Sequence, residues 1–452
     1  MKTVFFLLVI LGALLAMPSG LWAETEPLDS LIETLRTQNP ELMALRQQIQ
    51  AAKERVPQER SLMDPMIGVD IEGIPRRQFS YNNYMDIEYM VSQQIPFPGK
   101  RRLRGKMAEQ GVALLEKEYQ AREQQVALEF KKTYYQLYWI ERSIQINQEN
   151  SKLVEQISQI ASAKYSTGQA TQQDVIKAQV ELAKLINETI TLEQEKEIAL
   201  AMANTFLARE LNTEIPLPNS LGSQIPSFNW DLIEAQGLWS RPEVSAMAIA
   251  KEQAKTAVQV AKKEFFPDFQ IRAEARQFNE ENQIREFDTF LGVNLPIWFW
   301  TKQRAGLREK QAQLSATEAA YQAMRNQALF ELQSAWIQVR SKQRIAELYL
   351  TTLVPQARQS VEAAKASYQA DKSDFLTWID AQRVLKEFQL EQERALVELH
   401  QSLAELERAV GGVWPEKTEG RGKKEGRRTR GQPVASPLGE LEVQKGDTDH
   451  DA

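Results

Sequence analysis

The chain has no cysteine and only two histidines, His400 and His450, in 452 residues. The first absence removes disulfides, thiolate metal sites, thiol catalysis and lipid attachment through an N-terminal cysteine. The second leaves little for imidazole chemistry. Beyond the N-terminus no segment reaches the roughly 18 consecutive apolar residues of a membrane-spanning helix. With 26% charged residues and a mean hydropathy of −0.46, a polytopic helical membrane protein is excluded. The net charge of −6 is mild for this length and argues against a nucleic-acid partner. Catalytic signatures are missing too: no Gly-x-Ser-x-Gly elbow, no His-Glu-x-x-His and no clustered metal ligands. Gly99-Lys100 to Gly105-Lys106 resembles a phosphate loop only superficially. Its glycine spacing is one residue too long, and Met107 stands where Ser or Thr is required. No enzyme activity, cofactor or resident metal is expected.

What is present begins with an export signal. Lys2 supplies the positive start, Val4 to Met17 the apolar run, and Pro18 and Gly20 end it. Leu21-Trp22-Ala23 offers a cleavage site before Glu24, which assigns residues 1–23 to a signal peptide. The alternative is an uncleaved anchor, for which the apolar run is short.

The mature chain reads as two copies of one plan. Leu28-Asp29 recurs as Trp230-Asp231, and Asn39-Pro40-Glu41 as Arg241-Pro242-Glu243, each 202 residues later. Pro65 matches Pro267, Ile95-Pro96 matches Leu295-Pro296, Tyr165 matches Tyr368, and Ala178-Gln179 matches Ala381-Gln382, all at nearly the same offset. The repeats span 24–214 and 227–412, joined by a Pro-rich linker at 215–226. Each opens on a helix, Leu28 to Arg55 and then Asp231 to Lys263. Two segments of strict alternation follow. Ile67, Val69 and Ile71 alternate with Gly68, Asp70 and Glu72; Met85, Ile87, Tyr89 and Val91 alternate with Asp86, Glu88 and Met90. In the second copy Phe269, Ile271, Ala273 and Ala275 alternate with Gln270, Arg272, Glu274 and Arg276, and Phe287, Thr289, Leu291, Val293 and Leu295 complete the set. Period-two alternation marks strands with one apolar and one polar face.

After Pro98 and Pro296 the period becomes helical and stays so to Tyr165 and Tyr368. Some sixty residues of helix reach about 100 Å, which no globular domain needs, so coiled-coil packing is implied. Seven-residue spacings agree: Phe130, Leu137, Ile144; Leu332, Val339, Ala346, Leu353; Ala178, Leu185, Leu192, Ala199, Phe206. Breaks at Ser166 to Ala170 and Gln369 to Ser373 turn each long helix back. An ordinary soluble coiled coil has the same heptads, but amphipathic strands between helices of this length have no evident soluble partner.

A lipid-exposed strand needs pairing on both edges. Four strands per chain are too few for a barrel, two chains would make a filled eight-stranded one, and three would make twelve strands around a lumen. A mainly α chain with a shared β-barrel, closed as a homotrimer, is the expected fold. Asp70, Glu72, Asp86, Glu88, Asp268, Glu274 and Asp288, against Arg272 and Arg276, suit a wet lumen. A soluble sandwich with polar faces outward is the alternative. Ile67, Val69, Met85, Ile87, Phe269, Ile271, Leu291 and Val293 are expected to face lipid, so that arginine at Ile87 or Leu291 is costly and at Glu88 tolerated.

This order of elements resembles the TolC-type outer-membrane factor family over residues 25 to 412. Gln93-Gln94-Ile95-Pro96-Phe97-Pro98-Gly99-Lys100-Arg101 looks like the strand-to-helix junction of members that serve metal and drug exporters. Lys164-Tyr165-Ser166-Thr167-Gly168, with Asp174-Val175 and Ala178-Gln179, is similar to the first tip, and Tyr368 through Asp380-Ala381-Gln382 to the second. The resemblance implies a passive conduit in the outer membrane of a Gram-negative cell, with a long periplasmic extension. It implies docking to a periplasmic adaptor and an inner-membrane pump, or to a type I secretion system. The docking tips are then Thr167, Gly168 and Gln169 with Ala370, Asp371 and Lys372. Asp380 takes one aspartate-ring position of the family's gate, while Thr377 stands where some members have a second. Asp174 and Tyr368 match residues of the closing network. Asp371, in place of the usual tip glycine, and Asp374 are further acids at the turn. Each acid could equally be a helix cap or solvated charge. The alternative function is a periplasmic coiled-coil adaptor or scaffold without its own barrel, although such proteins carry one hairpin rather than two.

The tail at 413–452 departs from this plan. Gly420 to Gly431 is basic and the remainder turns acidic, a composition expected to be disordered, either as a solvated tail or as a tether to cell-wall polymers.

Overall fold

The computed structural model describes residues 27–74, 84–224, 230–278, 283–370 and 372–412. The expected signal peptide, the 413–452 tail and the tip residue Asp371 lie outside the described residues.

The expected opening helix is two helices in each repeat. Helix α1, Pro27–Gln38, is followed by α2, Pro40–Arg60. Their counterparts are α5, Trp230–Ser240, and α6, Pro242–Lys263. Proline excludes the helical conformation from the residue before it, so Asn39 and Arg241 are both extended, at ψ 122°. The Asn39 carboxamide oxygen accepts from the amides of Glu41 and Leu42 at 3.0 and 3.2 Å, capping α2. Arg241 makes no such cap; its buried guanidinium instead donates to Glu331 at 2.6 Å, tying the break to the long helix beside it.

Four strands form one antiparallel sheet in the order β1 (Met66–Glu72), β2 (Asp86–Ile95), β3 (Asp268–Phe278) and β4 (Gln283–Asn294). The β2–β3 pairing joins the two repeats. The register gathers most apolar residues on one face and most charged ones on the other. One row runs Ile67, Val91, Ala273, Thr289, and the next on the other face runs Asp70, Glu88, Arg276, Glu286. A bulge between Arg276 and Gln277 lets Ile284 pair with Gln277 and so join the apolar face. That apolar face is the bare one: Ile67, Phe287 and Leu291 are 77%, 78% and 72% exposed. Asp86, Glu88 and Ser92, on the polar face, are buried. Strands β1 and β4 are the sheet's edges.

Arg276 organises the polar face. Its guanidinium pairs with Glu88, lies 3.2 Å from Asp86, and reaches Asp288 and Glu286 at 3.8 and 4.0 Å. An arginine at Glu88 would set two guanidiniums together, so the expected tolerance there does not hold. Gln270, exposed on the same face between Gln94 and Gly292, is the position that accepts a charge. Phe290 lies on the polar face too, its ring 5.0 Å beneath the Arg272 guanidinium.

Helix α3 runs unbroken from Lys100 to Ser166, about 100 Å, and returns as α4, Gln172–Phe206. In the second repeat α7 (Lys302–Leu348) passes through a π-helical turn, Tyr349–Leu353, into α8 (Val354–Gln369), and α9 (Phe375–Ala409) returns. The π turn sits where Pro355 removes one helical donor and crowds the carbonyl one turn back. Phe130, Leu137 and Ile144, then Leu332, Val339 and Ala346, are buried as their heptad spacing requires. Among the described residues no helix is long and apolar enough to cross a membrane.

The linker is strapped down. Ile215 is buried in the first repeat's core, and the Tyr134 hydroxyl donates to the Pro216 carbonyl at 3.1 Å. Leu221 packs on the second core, and the Gly222 carbonyl lies 2.9 Å from His400 Nε2.

Candidate functional site

The helical turns at the far end of the two hairpins, with the first turns of α9, hold the described gate and docking candidates. At the first turn Gly168 has φ +73°, a left-handed conformation that glycine adopts without strain. The Gln169 amide donates to the Lys164 carbonyl at 2.8 Å, and the Thr167 hydroxyl to the same carbonyl at 3.0 Å. Thr171 caps α4 in a reciprocal box: Asp174 N donates to Thr171 Oγ1, and Asp174 Oδ2 accepts from Thr171 N at 3.0 Å. At the second turn the Lys372 amide donates to the Ser367 carbonyl at 2.9 Å, and Ala370 N to Ala366 O at 3.1 Å. Asp374 caps α9, its carboxylate accepting from the Thr377 amide at 3.1 Å and from the Thr377 hydroxyl. Those bonds hold the Asp374 carboxyl below its usual range. Asp174, Asp374 and Thr377 are therefore engaged in local capping.

Tyr368 is different. Only 5% exposed, it shares one buried cluster with Phe375, Trp378 and Ile379 and with Val154, Ile157 and Ala178 from the first hairpin. Its ring lies 5.9 Å from Phe375 and 5.5 Å from Trp378. Lys164 crosses from the first tip, donating to the Tyr368 carbonyl at 2.9 Å with its ammonium 4.5 Å above the ring. One apolar cluster thus binds α3, α4, α8 and α9 together.

Asp380 remains half-exposed, and it is not alone. Arg383 donates to Asp380 Oδ1 at 2.9 Å and to Glu181 Oε2 at 2.8 Å, joining α9 to α4. Glu181 is buried, and the Arg383 hydrogen bond holds its carboxyl below the usual range. Lys386 to Glu188 at 2.7 Å repeats the tie, and Gln382 donates to Asn150 at 2.8 Å to join α9 to α3. Arg383 and Glu181 are the functional candidates that residue patterns missed. Their signal was an arginine one turn after Asp380, but its second partner lies on another helix.

Two further polar centres lie outside the tips. On the sheet Glu72, Asp86 and Glu88 bring ligand atoms within 4.8 Å of one another, with Arg276 as the cation among them. Where β2 passes into α3, Lys100 is 2% exposed and donates to Asp268 at 2.9 Å, Glu264 at 3.1 Å and the Phe266 carbonyl at 3.3 Å. Asp268 also accepts from the Phe97 amide at 2.7 Å. The motif that resembles a phosphate loop ties the sheet to the helices.

The family model for outer membrane efflux proteins matches residues 31–202 and 235–412. The cobalt-zinc-cadmium resistance protein CzcC of Cupriavidus metallidurans is 24% identical over 271 residues, which cover 56% of this chain and 60% of that protein. The structure of VceC from Vibrio cholerae superposes with a TM-score of 0.72 at 17% identity, over 85% of this chain and 96% of VceC. The open-state MtrE channel of Neisseria gonorrhoeae gives 0.73 at 17%, over 85% and 89%. At these identities the superpositions speak for the fold.

Proposed function

This chain belongs to the outer membrane efflux protein family, and on that premise we propose that three copies close their sheets into one twelve-stranded barrel continuous with a periplasmic helical tunnel. The observation that carries this reading is the open four-stranded sheet, with its apolar side bare, its polar side ion-paired, and two edge strands. Lipid rewards the bare side, and a neighbouring copy pairs each edge. Transport is passive: the duct lends a route, and an inner-membrane pump with a periplasmic adaptor supplies energy. The adaptor meets the tips at Thr167, Gly168, Gln169, Ala370, Asp371 and Lys372. CzcC is named for resistance to cobalt, zinc and cadmium, which makes divalent cations the first cargo to test.

The resting gate is the four-helix cluster around Tyr368, cross-tied by Arg383 to Glu181. Asp380 contributes a carboxylate at the mouth whose charge Arg383 offsets. Because the carboxyl of Glu181 is held below its usual range, the tie is fully present above about pH 4.5 and is lost as pH falls through the lowered value. In planar-bilayer recordings Arg383→Gln is expected to raise conductance, by loosening α9 from α4, and to raise cation preference, by freeing Asp380. Asp380→Asn should lower cation preference and block by multivalent cations. Unchanged conductance and selectivity in both variants would place this pair away from the pore.

A further inference from the structure

The bare side of the sheet does not end with its strands. Leu295 continues the alternation of Leu291 and Val293, and Ile297, Trp298, Phe299 and Trp300 follow, all exposed. The Trp298 and Trp300 rings are 6.0 Å apart, and the Arg304 guanidinium lies 5.8 Å from the Phe299 ring.

This turn belongs to one edge of the sheet. Met66 pairs opposite Ser92, Ile95 opposite Phe269, and Asp268 opposite Asn294. Helices α2, α3, α6 and α7 therefore all attach there, and since the helical extension is periplasmic, this is the periplasmic edge. Each attachment carries cations: Arg60; Arg101, Arg102 and Arg104; Lys262 and Lys263; Lys302 and Arg304. Glu264 engages Arg104, and Glu109 engages Arg60. Arg102, Lys262, Lys302 and Arg304 are exposed and have no carboxylate partner among the described residues. Beside them opens a cleft of about 510 Å³ lined by Phe266, Leu295, Pro296 and Trp298, by Glu264 and Asp268, whose carboxylates Lys100 engages, and by Lys302 and Lys310, the latter paired with Glu309.

If β4 of one copy pairs with β1 of the next, Lys302 and Arg304 meet the neighbour's α2 end, where Glu59 and Asp64 stand against Arg55 and Arg60 and leave no net negative charge. Apolar wall, indole rings and unpaired cations at one depth match the headgroup zone of a bilayer instead.

We propose that this periplasmic edge binds anionic phospholipid headgroups, with Trp298 and Trp300 at headgroup depth and Lys302 and Arg304 on the phosphates. It anchors a chain that has no cysteine to carry a lipid. The proposal rests on the outer-membrane duct reading.

Its test uses the purified full-length protein equilibrated with vesicles of equimolar phosphatidylglycerol and phosphatidylcholine, the retained lipid then being measured by native mass spectrometry. The wild type should retain phosphatidylglycerol preferentially, and 1 M salt should erase the preference, as it does for attraction between exposed charges. Lys302→Gln with Arg304→Gln should lower that retention roughly tenfold or more while the oligomer persists. A wild type without preference, or a preference indifferent to salt, overturns the proposal even if the double variant fails to assemble. So does a double variant that loses oligomer but keeps the lipid, since that outcome makes the edge a subunit interface. Protein that conducts in these vesicles yet shows no lipid preference sinks this inference alone; protein that neither inserts nor conducts sinks the duct reading with it.

Discussion

Leu291→Arg is expected to strip the outer membrane of assembled protein. Leu291 sits mid-strand on the bare side of β4, beside Ile271 of β3, and is 72% exposed in the protomer. A charge there costs about 2–4 kcal/mol near the bilayer midplane, and symmetry repeats the cost in every copy. The control is Gln270→Arg, one residue before Ile271 on β3 and therefore on the opposite face. It should assemble as the wild type does. The measurement is the amount of oligomer recovered from outer membranes after a high-salt wash. Equal recovery of both variants would mean that the two faces are assigned the wrong way round.

Lys100→Met should be the most damaging change outside the strands. The ammonium holds Asp268 at the start of β3, Glu264 after α6 and the Phe266 carbonyl, so one side chain joins both repeats where the sheet meets the long helices. Removing it leaves Asp268 without its cation and Glu264 with Arg104 alone, at 3.4 Å. A fully buried pair broken in this way loses roughly 3–5 kcal/mol. Glu264 is 40% exposed here, and water relieves part of the loss, so about 2–3 kcal/mol is expected. Chemical unfolding of the detergent-solubilised protein reads it, with Arg104→Gln as comparison; that exposed residue reaches Glu264 at only 3.4 Å and should cost less than about 0.5 kcal/mol. Similar losses for the two would deny Lys100 its locking role.

Period and offset carried most of the architecture. Strict alternation placed Ile67, Val69 and Leu291 on one face because a strand's geometry has no other period, and heptads at Phe130 and Leu332 buried themselves for the parallel reason in helices. The long helices and both turns likewise follow from where proline and glycine are absent. The break at Asn39-Pro40 was visible as a repeat marker, and its consequence follows from proline alone, which the apolar pattern across it conceals. Ile215 and Gly222 looked like a plain linker because proline-rich composition says nothing of the cores it crosses. At the tips, Asp174 and Asp374 were legible as acids near turns, and both turned out to be engaged in capping. Arg276 on the sheet and Arg383 on α9 carry the decisive electrostatics through partners on other elements. No local pattern in a single chain encodes such pairs.

The most direct test of the duct is the mass of the intact complex released from the outer membrane in mild detergent. Three copies of the mature chain, beginning near Glu24, are expected in a species that conducts ions when placed in a bilayer. A conducting species of one or two copies would contradict the shared twelve-stranded barrel.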